Sequence, residues 1–325
     1  MSFTVVEEAQ PRLNRSEQTV PGSNARFIEK AAQGNADTVF LDLEDSVAPS
    51  EKEKARGQVV QALNDLDWSG KTVSVRVNAF DTPYTYRDVM EVLEAAGDRI
   101  DLIMLPKVGT ASDVYALDVL VTQVMQNAGK QDRIGFELLL ESALGMQNIH
   151  ELAAASKRNE SLHFGVADYA ASTGMRTTQI GGPNPDYAVL TDPDADGNRE
   201  VHWGDMWHYA ITRMVVAARA NGLRPVDGPF GAFKDSEGYK AQARRAAVLG
   251  CEGKWCIHPS QVELANEVFS PSQEAVDNAR RILEALDEAH REGYGAVTLD
   301  NKLIDNASIK QAKVLVRKAE QIGQG

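Results

Sequence analysis

The chain has 325 residues, 43% hydrophobic and 25% charged, enough to bury the core of one large α/β domain with an appendage and too apolar for a disordered chain. Acidic residues outnumber basic ones by 47 to 34, a formal charge of −13 that repels phosphate backbones and argues against general nucleic-acid binding. Two cysteines make neither a disulfide framework nor a cysteine-rich metal site, which points to a reducing, cytoplasmic setting. The opening segment MSFTVVEEAQPRLNR has no long apolar run and no basic leader, so no signal peptide is expected. No run of about 18 apolar residues occurs, so no membrane span is expected either.

Short β-rich runs then alternate with helical patterns. The runs are Gln18–Val20, Thr38–Leu43, Val73–Val77, Leu102–Leu105, Ile134–Leu140, Leu162–Val166, Leu223–Val226 and Lys254–Ile257. The clearest helical patterns are Glu51–Leu66, Tyr86–Gly97, Ala111–Ala128, Asn148–Ser156, Trp207–Asn221 and Tyr239–Leu249. Eight βα units with no Gly-rich phosphate loop after the first strand fit a closed (β/α)₈ TIM barrel better than a doubly wound open sheet. Ala170–Asp205, rich in Gly, Pro, Asp and Thr, reads as a long loop, either functional or disordered. Past Pro271 come a helix over Ser272–Arg291, a hairpin in AVTLDNKLID turning at Asp300-Asn301, and a helix over Ala307–Gln321. The expected division is therefore a barrel over residues 1–270 and a C-terminal lid or interface arm over 271–325.

Chemistry in such a barrel sits at the C-terminal ends of the strands. Polar residues gather there: Glu44 and Asp45, Arg76 and Asn78, Lys107, Glu141, Asp168, Asp227 and His258. Repeated charge at the ends of apolar strands is informative, because a buried charge is costly unless paired or bound to a metal. Glu141 and Asp168 are hard oxygen donors on adjacent strands, suited to Mg²⁺; the alternative is ion pairing with Arg76 or Lys107. Glu44 and Asp45 either orient water around a metal or, for Asp45 especially, cap the next helix. Arg76 suits a substrate carboxylate or carbonyl oxygen, or a salt bridge to Glu44 or Glu141. Lys107 invites a Schiff-base role, but an ion-pair role is preferred. His202 and His208 read as ordinary packing, His258 as a strand-end or core residue, Cys251 and Cys256 as buried small hydrophobes, and Asp192–Asp196 as a solvated turn.

The segments VPGSNARFIEKA, FLDLEDSVAP, VSVRVNAFDTP, IMLPKVG, LLLESALGMQNIHELA, GVADYAASTGMRTT, PVDGPFG, GKWCIHPSQVELANEVFSPS and DNASIKQAKVLVRKAEQI together resemble the citrate lyase β-subunit-like (HpcH/HpaI aldolase) family, and within it the malyl-CoA/β-methylmalyl-CoA lyase branch. The resemblance spans nearly the whole chain. It implies a lyase dependent on Mg²⁺, or Mn²⁺ in its place, acting on an acyl-CoA thioester and glyoxylate in a TIM barrel with a C-terminal lid. It places Glu141 and Asp168 as metal ligands and Arg76 at the substrate. Lys30 takes a CoA contact, Ala167 with Asp168 the substrate lining, and Ile257 with His258 the thioester end. It further implies a homotrimer or homohexamer in which Asp305 of the lid acts on a neighbouring subunit. Related chains read LFVPGNRP or LFGPGSRP in the first segment. Here Thr19 replaces an aromatic and Asn24 an arginine at positions that contact the CoA nucleotide in relatives, and Arg26 offers a nearby charge.

Three other readings share these residues. A malyl-CoA thioesterase or citramalyl-CoA lyase would use the same site. A metal-free Schiff-base aldolase would use Lys107. A non-catalytic assembly subunit would have no reason to carry the strand-end charges. Asp305 itself also fits a plain helix N-cap.

Overall fold

Eight short apolar runs close into an all-parallel barrel in the computed structural model, which describes residues 6–130, 134–291, 293, 295–300 and 302–323. The strands are β1 (Ser16–Pro21), β2 (Thr38–Asp42), β3 (Thr72–Arg76), β4 (Leu102–Leu105), β5 (Gly135–Leu140), β6 (Asn159–Phe164), a detour hairpin of β7 (Ala188–Leu190) and β8 (Val201–Trp203), then β9 (Arg224–Asp227) and β10 (Gly253–Cys256). Barrel strands follow chain order around the wall, and β10 pairs back onto β1. Helices α1 (Ala25–Ala32), α2 (Lys52–Asp65), α3 (Thr85–Ala96), α4 (Ala111–Asn127), α5 (Ala143–Gln147), α6 (Ile149–Ala154), α7 (Val166–Thr173), α8 (His208–Ala220), α9 (Ser236–Leu249) and α10 (Val262–Phe269) fill the connections and the segment after β10. Each crossover helix turns one apolar stripe inward: α2 buries Ala55, Val59 and Leu63, spaced one turn apart.

All eight expected barrel strands form, with one displaced. β6 begins at Asn159, three residues before the expected Leu162. Its first residues are polar but have partners below the barrel: Glu160 receives Arg12 Nε–H at 2.8 Å and an Arg224 N–H at 2.9 Å.

Side chains alternate along each strand, so the barrel interior stacks in layers two residues apart. Toward the floor lie Glu17, Ser74, Glu137, Ser161 and, one step higher on β6, His163, all fully buried. The Trp255 indole N–H donates to His163 Nδ1 at 2.9 Å, so Nε2 carries the ring proton, facing Ser161 Oγ at 2.8 Å and Glu137 Oε1 at 3.3 Å. Burial and the adjacent Glu137 push the Glu17 carboxyl well above the usual range, while burial is outweighed at Glu137 by His163, Ser74 and Arg224, which hold it below. Above this floor lies an apolar layer of Phe40, Met104, Leu139, Val226 and Trp255. Two residues higher the charges begin.

The long stretch between α7 and α8 is not a bare loop. It contains the antiparallel β7–β8 pair, whose Val189 (67% exposed), Leu190, Val201 and Trp203 (62%) face outward. The expected solvated turn is there: Asp194 accepts the Asp196 and Asn198 backbone N–H groups. His202 and His208 are exposed, a correction to the packing role expected of them, because one rides this protruding hairpin and the other opens α8 on its outer side.

The chain divides into two compact units, residues 1–266 and 267–325. The second holds α11 (Gln273–Arg291), a two-stranded pair of β11 (Val297–Leu299) and β12 (Lys302–Ile304), and α12 (Asn306–Ile322). Ser272 Oγ accepts the Ala275 N–H and opens α11. Of the expected turn pair, Asp300 takes a left-handed φ of 50°, and Asn301 lies outside the described residues.

Candidate active site

The charged layer begins at the carboxyl ends of β2 and β3. Alternation along β2 sends Thr38, Phe40 and Asp42 inward, and Glu44 continues the series. Arg76 ends β3 directly opposite Asp42 in the strand register. Its Nε and one terminal nitrogen each donate to Asp42 at 2.7 Å, and its other terminal nitrogen lies 3.0 Å from Glu44 Oε2. Burial opposes the guanidinium charge, but Asp42, Glu44 and Glu141 outweigh it and hold Arg76 charged.

Lys107 follows β4 in a left-handed conformation, φ 52°, rare for a side-chain-bearing residue. That turn aims its backbone N–H at Glu141 Oε1, 2.7 Å away, and swings its ammonium onto Glu44 and Asp45. Burial would lower the lysine pKa, yet Glu44 and Asp45 win and hold it above the ordinary value. A permanently charged ammonium is a poor amine nucleophile, which removes the support for a Schiff-base role. Asp45 pairs with this ammonium and does not cap a helix: α2 starts seven residues later, and Asp45 is too far upstream.

Glu141 follows β5 and is buried. Burial, Glu44 and Asp168 push its carboxyl up to about 8, against the pull of Arg76. Asp168 stands half-buried in the first turn of α7, three residues after Gly165, and Ala167 beside it is exposed. Gly165 packs flat on Glu141: a Cβ there would lie 2.3 Å from Glu141 Cβ. Glu44 Oε2 is buried and, although near Arg76, lies off any N–H direction and accepts no hydrogen bond.

Five carboxylates (Asp42, Glu44, Asp45, Glu141, Asp168) therefore face two cations (Arg76, Lys107), with the Lys52 ammonium a third behind the turn after β2. A raised carboxyl, an orphaned buried oxygen and an excess of hard oxygen donors fit a divalent cation held by Glu141 and Asp168.

The remaining candidates spread around the rim. Thr19 sits half-buried in β1 beside Phe40 of β2. Asn24 caps α1, its Oδ1 accepting the Phe27 N–H at 3.2 Å, and Lys30 is exposed in the last turn of that helix. Ile257 and His258 follow β10 and are exposed, so His258 is not a core residue; it stacks on Phe233 with centroids 4.7 Å apart. Two strand-end residues leave the group. Asp227 binds the Lys254 ammonium at 2.5 Å, and Asn78 donates to Asp88 and to the Leu43 carbonyl. In the second unit Asp305 caps α12, accepting the Ala307 and Ser308 N–H groups at 3.0 Å each. Those bonds, Ser308's first, lower its pKa.

The family model described as HpcH/HpaI aldolase/citrate lyase matches residues 16–259. The chain belongs to this family. It is 51% identical over 322 residues, 99% of either chain, to the L-malyl-CoA/β-methylmalyl-CoA lyase of Cereibacter sphaeroides. It is 36% identical over 308 residues, 95% of either chain, to a (3S)-malyl-CoA thioesterase of the same species. Among solved structures it resembles the CitE protein of Mycobacterium tuberculosis in complex with magnesium, acetoacetate and coenzyme A, with a TM-score of 0.67 and 27% identity over 94% of this chain and 97% of that one. Family membership agrees with the barrel and with the resemblance carried by the sequence segments.

Asp42 was not among the residues singled out from the sequence. The signal was present: in TVFLDLE the period of two that buries Phe40 also turns Asp42 and Glu44 inward.

Proposed function

We propose that this protein is a Mg²⁺-dependent carbon–carbon lyase that cleaves L-malyl-CoA to acetyl-CoA and glyoxylate, and β-methylmalyl-CoA to propionyl-CoA and glyoxylate, and runs the reverse condensation. The observation that carries the reading is the 51% identity, over essentially the full chain, to a lyase of that name. The electrostatics of the strand ends support it.

In the cleavage direction the C3 hydroxyl of the acyl chain gives its proton to water in the site and the C2–C3 bond breaks. The bonding pair becomes a thioester enolate, which is then protonated at carbon. Glu141 and Asp168 would hold Mg²⁺, or Mn²⁺ in its place, which would supply Lewis-acid polarisation. Arg76 turns its remaining N–H edge toward the oxygen where negative charge develops. Glu44 and Asp45, anchored by Lys107, order water beside the substrate. Thr19, Asn24, Lys30, Ala167, Ile257 and His258 line the path of the CoA thioester.

In the condensation direction a base must take a proton from the acetyl methyl group. Asp305 fills that role from the C-terminal lid of a neighbouring subunit in a homotrimer or homohexamer. Its cap bonds keep it ionised, and release from them together with expulsion of water raises its basicity. The outward apolar residues of the β7–β8 hairpin support an assembly of copies, since a lone two-stranded hairpin is marginal in water.

The test is incubation of the purified protein with acetyl-CoA, glyoxylate and Mg²⁺, with and without EDTA, followed by mass spectrometry. Malyl-CoA forming only with the metal is the expected result. Intact acetyl-CoA in both tubes refutes the reading. Malyl-CoA decaying to free CoA and malate reassigns the site to thioester hydrolysis, the activity named for the 36% relative.

A further inference from the structure

Asp42 is the most heavily used acceptor at the strand ends. It is fully buried and takes four hydrogen bonds: Oδ1 from Arg76 Nε at 2.7 Å and Glu44 N at 2.8 Å, Oδ2 from the Arg76 terminal nitrogen at 2.7 Å and Ser46 N at 3.1 Å. A two-point contact to a guanidinium fixes its plane as well as its distance. The Phe40 and Trp255 rings, 5.8 and 5.7 Å from the guanidinium carbon, close off the sides. The turn after β2 is clamped from behind, where the Lys52 ammonium donates to the Leu43 and Glu44 carbonyls at 2.7 Å each.

Glu44 also faces Arg76, 3.0 Å from its other terminal nitrogen, but at one point only. Burying one more carboxylate is costly unless it is fully hydrogen-bonded. What Asp42 adds is orientation, binding Arg76 and the Glu44 turn through one carboxylate. We propose that Asp42 is the positioning residue of this site, acting on the lyase reaction through Arg76 by fixing which N–H edge the guanidinium presents. The proposal rests on the lyase reading above, and its test is chosen to separate the two.

Asp42→Asn keeps the size and loses the two-point acceptor. The expected result is a fall of about a hundredfold in kcat for condensation of acetyl-CoA with glyoxylate, a raised KM for glyoxylate and an unchanged KM for acetyl-CoA. Added to Arg76→Ala, it costs nothing further, because its effect passes through the missing guanidinium. Additive losses, or an equal rise in both KM values, overturn the proposal. The second measurement needs neither metal nor turnover. Millimolar guanidinium ion raises the Tm of metal-free Arg76→Ala, ammonium ion does not, and the guanidinium shift disappears in the double variant. Equal shifts from both ions, or from neither, overturn the proposal even if Asp42→Asn alone fails to fold. A wild-type protein without lyase activity refutes the lyase reading, while the guanidinium shift still decides the role of Asp42.

Discussion

Glu141 concentrates the chemistry of the site in one carboxyl group. Its pKa of about 8 arises from burial, then from Glu44 and Asp168. A proton and a metal compete for this carboxylate, so Mg²⁺ affinity should climb as pH rises toward 8 and level off above it, which titration calorimetry across that range checks. A carboxyl raised above its unfolded value binds a proton in the folded state that the unfolded chain has already released. The metal-free protein therefore loses stability as pH rises from the ordinary glutamate range to about 8, and saturating Mg²⁺ removes that loss. Gly165 tests the same group sterically. In Gly165→Ala the new methyl would fall 2.3 Å from Glu141 Cβ and must displace it. Expected are a near-native circular dichroism spectrum and a drop in Mg²⁺ affinity of tenfold or more, on the order of 1.4 kcal/mol. Unchanged affinity would separate Glu141 from the metal.

The elements matter here for where they end. The carboxyl end of β2 delivers Asp42 and Glu44 two residues apart on one face, β3 delivers Arg76 against them, and the turn after β4 spends a left-handed backbone on directing one N–H at Glu141. At α1 the same logic assigns Asn24 two jobs. As an N-cap it is worth about 1 kcal/mol to the helix, while as a proposed CoA contact it meets an anionic nucleotide. Asn24→Asp keeps the cap and adds a negative charge. The expected outcome is an unchanged Tm with a KM for acetyl-CoA raised several-fold, most at low salt. An unchanged KM beside the unchanged Tm would leave Asn24 a cap only.

For the whole molecule the proposed reaction draws on the second unit, residues 267–325, through Asp305. Asp305→Ala should lose its cap bonds at the start of α12 yet keep the barrel and Mg²⁺ binding, with turnover down by about a thousandfold. If Asp305 serves a neighbouring subunit, co-refolding Asp305→Ala with Arg76→Ala regains activity, because mixed assemblies contain sites with an intact arginine and an intact lid acid. Wild-type turnover in Asp305→Ala, or no recovery on mixing, removes that role.

Alternation of short apolar runs with amphipathic stretches was enough to read all eight barrel strands from the sequence, because a period of two and a period of 3.6 report burial directly. Strand-end position then picked out Arg76, Lys107, Glu141 and Asp168, since costly buried charges stand out against apolar neighbours. Which charge meets which was beyond that reading. Asp227 and Asn78 looked equivalent to Arg76 in sequence, yet close onto Lys254 and Asp88 away from the site. Asp42 passed unnoticed because its partner is 34 residues distant and becomes adjacent only when β2 and β3 pair in register. The left-handed turn at Lys107 and the flat contact of Gly165 on Glu141 follow from barrel closure, which brings the ends of neighbouring strands within hydrogen-bonding distance. Local pattern determines which residues can be buried; only the closed tertiary structure decides which buried charges share one site.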